Sequence, residues 1–404
     1  MTSNNLGTLT IENAVIFDGN SSELREGSIH VLGGRIIGFD DEAETSEQVI
    51  DARGRVVIPG LIDAHFHAYG ISLTDMENEV APLSYLSLAG AQRLTAALRR
   101  GFTTVRDMAG GDIGLATALA DRLFEGPRYL YTGAALSQTG GHGDAREAHD
   151  GSSFHGGRLC EVMDGVDGLR KAVRERFRTG SHAIKIMTSG GVTSPVDPVR
   201  LVQYSSEEVR VVAEEATRRN SYVAAHAYSP EAIQHAVLNG VRSIEHGNLL
   251  DHETAVLMAS HGAYLVPTLI AYEAIARRGG EFGLSAVGAS KNKEVLEATP
   301  AAIAFAQAAG VPVGFGSDLI GKLESEQLWG LRLQIEVMGV YESLRSATSV
   351  NAQLLQRDDL GSIAEGKCAD LLLLDGNPFD DPAVLWDERR PRTVIRAGEV
   401  VGRR

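Results

Sequence analysis

The chain has 404 residues, of which 43% are hydrophobic and 23% charged, ordinary proportions for a protein that buries a sizeable core. That length accommodates a large α/β barrel plus an accessory module. Its 53 acidic and 38 basic residues give a net charge of −15, which argues against a general nucleic-acid or anionic-membrane binder, because both need a positive surface.

The only cysteines, Cys160 and Cys368, cannot staple a chain this long, so stability must come from the core, which fits a reducing cytoplasm. The opening MTSNNLGTLTI lacks the basic and apolar regions of a signal peptide. No run approaches eighteen consecutive apolar residues, so no membrane span is expected.

Residues 8–58 alternate short β-like runs with turn signals. LTIENAVIFD leads to Gly19-Asn20, and SIHVLGGRIIGFD carries Gly33-Gly34 between two apolar runs. This pattern predicts hairpins of a small antiparallel sheet. The C-terminal ADLLLLD (369–375) and RTVIRAGEVVGRR (392–404), with a turn at Ala397-Gly398, have the same texture. Neither end holds enough strands to bury a sheet face alone. The expectation is one discontinuous β-sandwich domain built from 1–58 and 359–404 around an inserted domain, 59–358.

The middle has another rhythm. Strand-like runs end in polar, Gly-rich or metal-competent residues: VVIPGLIDAHFH (56–67), TTVRDMAGG (103–111), YLYTGAALS (129–137), AIKIMTSGG (183–191), YVAAHAY (222–228), SIEHGN (243–248), AYLVPTL (263–269) and VPVGFGSD (311–318). Helical patterns separate them. SSEEVRVVAEEATRRN (205–220) opens with a Ser-x-x-Glu capping box, and SPEAIQHAVLNG (229–240) has Pro230 near its start and Gly240 at its end. Eight strands alternating with helices predict a (β/α)8 TIM-like barrel with its functional residues at the strands' C-terminal ends. A doubly wound sheet also alternates this way.

Histidines and acids fall at those ends. His65 and His67 close the first run, Lys185 lies in the fourth, His226 closes the fifth, His246 the sixth and Asp318 the eighth. Residues i and i+2 of a strand share a face, so His65 and His67 can enter one barrel mouth. One such histidine would be an ordinary core residue. Five imidazole or carboxylate ligands plus Lys185 point to a metal centre, with donors suited to zinc, manganese or iron. An ammonium cannot ligate a metal. Burial near cations would free the Lys185 amine to react with carbon dioxide, and the resulting carbamate could bridge two metals. The bland reading of Lys185 is a side chain reaching out of the barrel to a salt-bridge partner.

These motifs resemble the amidohydrolase superfamily over essentially the whole chain: PGLIDAHFH (59–67), IKIMTSGG (184–191), HAYSPEAI (226–233), SIEHGN (243–248), FGSD (315–318) and GSIAEGKCADLLLLD (361–375). SQTGGHGD (137–144), with IKIMTSGGVTSP and HAY, looks more narrowly like the imidazolonepropionase-related branch. That branch contains prolidase-like (Xaa-Pro) and Xaa-Lys/Arg carboxypeptidase-type dipeptidases. The resemblance implies that His65, His67 and Asp318 hold a first divalent metal and His226 and His246 a second, most simply zinc. It implies carboxylated Lys185 as the bridge. Such a pair acidifies a water into a nucleophile near neutral pH. Asp318 would move its proton to the leaving nitrogen. The family's tyrosine two residues beyond the fifth-run histidine matches Tyr228, as donor to the carbonyl oxygen. Its pocket histidine matches His142, in a Gly-rich loop able to turn tightly.

The expected activity is hydrolysis of an amide in a dipeptide or N-acyl amino acid. Urea, carbamate or lactam hydrolysis and deamination stay open, whereas the six intact ligand positions argue against a non-catalytic relative. The expected partner is a small molecule, with neither nucleic acid nor membrane. Barrels of this family often associate, so a homo-oligomer is an open possibility. No P-loop pattern is present. His149, His155 and His182 read as surface residues, His235 and His252 as helix residues, Arg106 and Asp107 as a structural ion pair in preference to a substrate-facing one, and both cysteines as buried inert thiols. Glu324 and Glu326 could recognise a basic side chain or merely solvate a helix.

Overall fold

The structure is a computed structural model that describes residues 7–40, 46–146, 149, 157–194 and 197–402. In chain order the first strands are β1 (Thr8–Ile16), β2 (Arg25–Leu32), β3 (Arg35–Phe39), β4 (Gln48–Asp51) and β5 (Val56–Pro59). Then follow β6 (Leu61–Phe66), β7 (Phe102–Asp107), β8 (Arg128–Tyr131), β9 (Ala135–Ser137), β10 (Cys160–Val162), β11 (Ile184–Met187), β12 (Val223–Ala227), β13 (Ser243–His246) and β14 (Tyr264–Val266). The last three are β15 (Leu371–Leu374), β16 (Arg392–Arg396) and β17 (Glu399–Val400).

Both termini enter one mostly antiparallel sheet, ordered β17-β16-β15-β5-β1-β2-β3, with β4 beside β1. Its hairpins turn where paired left-handed residues occur: Gly33 and Gly34 (φ 59° and 78°) join β2 to β3, and Ala397 and Gly398 (φ 48° and 78°) join β16 to β17. Leu9, Ile11, Ile29, Val31, Ile36, Leu371 and Leu373 build its core, each at most 2% exposed.

The other strands pair in parallel, as β6-β7-β8 and as β10-β9-β11-β12-β13-β14. Every residue of β6, β7, β11, β12 and β13 is buried, as expected of parallel strands covered on both faces. Helices lie between them. Helix Ser206–Thr217 begins with the expected capping box, in which Ser205 and Glu208 bond reciprocally. Pro230 opens helix Pro230–Leu238.

Three runs differ from the sequence expectation. The run 56–67 divides into β5, which pairs with β1 and β15 in the terminal sheet, and β6, which pairs with β7. The run 129–137 breaks at 132–134: β8 pairs with β7, whereas β9 pairs with β10 and β11, so one stretch of chain serves both parallel sheets. The run 311–318 is not a regular strand. It still forms backbone bonds on both sides, Leu265 N to Pro312 O and Gly314 N to Leu265 O, then Ala64 N to Phe315 O and Asp318 N to His65 O. Its irregularity has a steric side. A Cβ on Gly316 would come within 2.6 Å of the His65 and Val266 side chains, so the backbone packs closer there than an ordinary strand residue could.

Candidate active site

The C-terminal ends of these parallel segments surround one cavity, lined by His65, His67, His142, Lys185, His226, Tyr228, His246 and Asp318. All eight residues singled out from the sequence are therefore brought together. Asp318 is the hub. Its Oδ1 lies 2.9 Å from His67 Nε2 and 3.4 Å from His65 Nε2, and its Oδ2 lies 3.7 Å from His246 Nδ1. Ligand atoms of His65, His246 and Asp318 fall within 4.8 Å of one another, a spacing suited to a metal ion. The His226 ring packs 4.5 Å from that of His246. His142 stacks on His226 at 4.3 Å, above Gly191, where any Cβ would collide with the imidazole at 2.0 Å.

Local backbone geometry aims these groups. His246 (φ 74°) and Asp318 (φ 50°) both occupy the left-handed region, a cost of roughly 1–3 kcal/mol each that concentrates at functional sites. Neighbouring strand residues normally point to opposite faces. Because His246 turns out of β13 with positive φ, both it and Glu245 reach the centre, His246 beside Asp318 and Glu245 beside His65.

Burial sets the electrostatics. It pushes His65 down to about 4 and His226 and His246 well below the usual imidazole range, which favours the neutral form that binds metals. Burial opposes ionisation of Asp318, but the neighbouring His65 and His67 outweigh it and hold the carboxyl at about 2. Burial also draws Lys185 down to about 8, against the pull of Glu245 and Asp318.

Several supporting residues were not anticipated. Glu245 accepts from Arg106 at 2.8 Å and lies 2.7 Å from His65 Nδ1, orienting that imidazole with its Nε2 toward Asp318. Arg106 thus pairs with Glu245, not with Asp107, which instead accepts from the Tyr129 hydroxyl and the backbone of Ala68 and Ala109. Sequence adjacency suggested the wrong pair. Along a strand, residues 106 and 107 face apart. Asp63 ties the ends of β6 and the 312–318 segment by accepting from His65 N, Ser317 N and Oγ, and Gln327 Nε2. Tyr272 Oη lies 2.8 Å from both Tyr228 Oη and His246 Nδ1, and Thr268 Oγ1 is also 2.8 Å from that nitrogen. Glu245 stood within SIEHGN, but nothing in the spacing marked its partner 139 residues away.

Other readings change. His182 is half-buried against Tyr222 rather than at the surface, and burial lowers it to about 4. His149 is exposed, and His155 lies outside the described residues. Cys160 lines the cavity instead of being buried, and the half-buried Cys368 donates to Asp359, with burial raising its thiol to about 11. Glu324 bonds Arg100, and Glu326 bonds Arg277 and Arg278, so neither is a free anion.

Residues 56–401 match the model of the amidohydrolase family. The chain belongs to that family. Its members generally work with divalent metal ions, and this amidohydrolase is a hydrolase acting on carbon–nitrogen bonds. It is 32% identical to ochratoxinase of Aspergillus niger, over 96% of this chain and 85% of the relative. Among solved structures it is similar to a prolidase complexed with N-methylphosphonate-L-proline, at 41% identity and a TM-score of 0.94, covering 98% of this chain and 99% of the other. A Xaa-Pro dipeptidase with bound methionine follows at 30% identity and a TM-score of 0.86, covering 97% and 99%. These neighbours agree with the dipeptidase-like branch that the motifs resemble. No helix among the described residues is long and apolar enough to cross a membrane.

Proposed function

We propose that this amidohydrolase carries two divalent metals and cleaves the amide bond of a dipeptide or an N-acyl amino acid. The observation that carries this reading is the convergence of His65, His67 and His246 on Asp318, in a cavity that also receives Lys185 and His226. The residues fit metal ions on their own chemistry. The imidazoles at 65, 226 and 246 are held neutral by burial, Asp318 is held anionic, and the buried His67 Nδ1 has no hydrogen-bond partner among the described residues. Lys185 fits carboxylation, since a buried amine drawn to about 8 is partly unprotonated near neutral pH.

In this reading His65, His67 and Asp318 would hold one ion and His226 and His246 the other, carboxylated Lys185 would serve both, and the metal would be zinc. When bound, the pair supplies Lewis-acid polarisation of the substrate carbonyl and an acidified water. Asp318 would take up the proton released on attack and pass it to the leaving nitrogen. Tyr228 donates a hydrogen bond to the carbonyl oxygen, and Tyr272, 2.8 Å from its hydroxyl, orients it. His142, stacked on His226 and 3.7 Å from Asp197, positions the substrate. The relatives that act on Xaa-Pro dipeptides and on ochratoxin support an amide with an amino-acid leaving group.

The same reading takes 59–358 as a (β/α)8 barrel, supported by the backbone bonds from 312–318 to both β14 and β6. The terminal strands then form a discontinuous β-sandwich domain over 1–58 and 359–404. Two free cysteines suit a cytoplasmic enzyme. Elemental analysis after growth with added zinc is expected to approach two equivalents per chain, with turnover of dipeptides or N-acyl amino acids. One equivalent at full activity would sink the two-metal reading.

A further inference from the structure

Beyond the metal-ligand positions, several charges around the cavity mouth hold its loops. Glu79 lines the cavity, yet its two oxygens accept three backbone N–H groups, from Arg158, Leu159 and Cys160, at 2.9–3.0 Å. Arg93 donates to the carbonyls of Gly70 and Leu319, clamping the segments that follow β6 and Asp318. Lys291 donates to the carbonyls of Gly191, Ser194 and Asp197 at 2.7–3.0 Å, fixing the loop that carries Val192 and Thr193. Glu324 and Glu326, directly after the cavity-lining Leu323, are each engaged by arginine. Arg146, beside the cavity-lining Ala145, forms a two-point bond with Asp144.

What remains on one side is an apolar wall. Leu73, Ile275, Leu319, Ile320 and Leu323 line the cavity there. Ile275, Leu319 and Leu323 belong to a buried cluster that Leu73 packs against, with Phe282 and Trp329 behind it. A charged group pushed against that wall would lose its hydration with no partner among the residues that form it. That is a large penalty. An aliphatic or aryl group would instead gain from leaving water.

We infer that the part of the substrate lodged against Leu73, Ile275, Ile320 and Leu323 is an uncharged apolar group, so the enzyme discriminates against amides whose corresponding group ends in an ammonium or a carboxylate. This inference rests on amide hydrolysis at the same centre and names its substrate class. It removes a basic side chain as the group at that wall, consistent with Glu324 and Glu326 being engaged by arginines.

Two substrate series with the zinc-loaded enzyme test it. One is hexanoyl-, 6-aminohexanoyl- and adipoyl-phenylalanine, chains of similar length with neutral, positive and negative tips. The other is alanyl-leucine, alanyl-lysine and alanyl-aspartate. In at least one series the neutral member is expected to exceed both charged members in kcat/KM by roughly a hundredfold. Ile320→Glu should narrow the gap for the ammonium-tipped member of that series by about tenfold or more, which a merely disrupted fold would not do. Binding of hexanoate, 6-aminohexanoate and adipate, measured by calorimetry, provides a readout independent of turnover. Charged members that are cleaved as well as neutral ones in both series would overturn the inference. Should no amide be cleaved while hexanoate still binds best, the proposed reaction fails and the apolar subsite stands. Equal binding of the three acids without turnover would remove both.

Discussion

The terminal sheet and the ends of the parallel strands are both buried, but they bury opposite kinds of group. In the sheet, Ile11, Ile29, Ile36, Leu371 and Leu373 are fully covered by one another. Each square ångström of apolar surface removed from water there contributes about 25 cal/mol. At the strand ends the covered groups are His65, Lys185, His226, Glu245 and His246, gathered around the half-buried Asp318. Each titratable group must find a partner or shift its protonation. Positive φ at His246 and Asp318 adds strain on top. The difference teaches that one region stabilises the chain while the other spends stability on a prearranged site. Substitutions should therefore separate activity from stability according to region.

The largest expected effect is at Lys185. Lys185→Ala should abolish nearly all turnover and cost the second metal, and a short carboxylate added in solution should restore part of it. In the unsubstituted protein, reactivation of metal-stripped enzyme at constant dissolved carbon dioxide should be faster at pH 9 than at pH 7. The sign follows from burial drawing the ammonium down to about 8: only the free amine, present above that value, reacts. Normal activity and metal content in Lys185→Ala would make the lysine structural.

Asp318→Asn comes next. An amide oxygen can still ligate, so metal content should largely survive while kcat falls by roughly a thousandfold through loss of proton transfer. A modest change would hand the proton to another group, with His142 the first to examine. Tyr228→Phe should lower kcat by about ten- to a thousandfold and KM much less, as removal of one carbonyl-oxygen donor does. A change confined to KM would mean that Tyr228 only binds substrate.

The smallest effect on catalysis, and the largest on stability, is expected in the terminal sheet. Ile29→Ala removes a fully buried side chain from β2 and should cost about 2–5 kcal/mol of unfolding free energy. Denaturant titration reads that loss, and the folded fraction should retain its kcat and its metals. A matching fall in kcat would show that the two regions are coupled.

Local pattern determined much of this protein. Period-two runs joined by paired glycines mark the β2–β3 hairpin, and Ala397-Gly398 marks the other. A Ser-x-x-Glu signature marks helix Ser206–Thr217, and His65, His67, His226, His246 and Asp318 stand where strand-like runs end. These features are legible because turn chemistry, capping and alternation depend on neighbours a few residues away. Tertiary structure alone decided which charges meet. Glu245 selects Arg106 and His65 across 139 and 180 residues, Asp63 reaches Ser317 across 254, and Tyr272 joins Tyr228 to His246. It also decided that the run 129–137 divides between two sheets, and that Glu324 and Glu326 are neutralised by arginines from other segments. Such pairings follow from which segments pack together in three dimensions, and the spacing of residues along one segment carries no record of them.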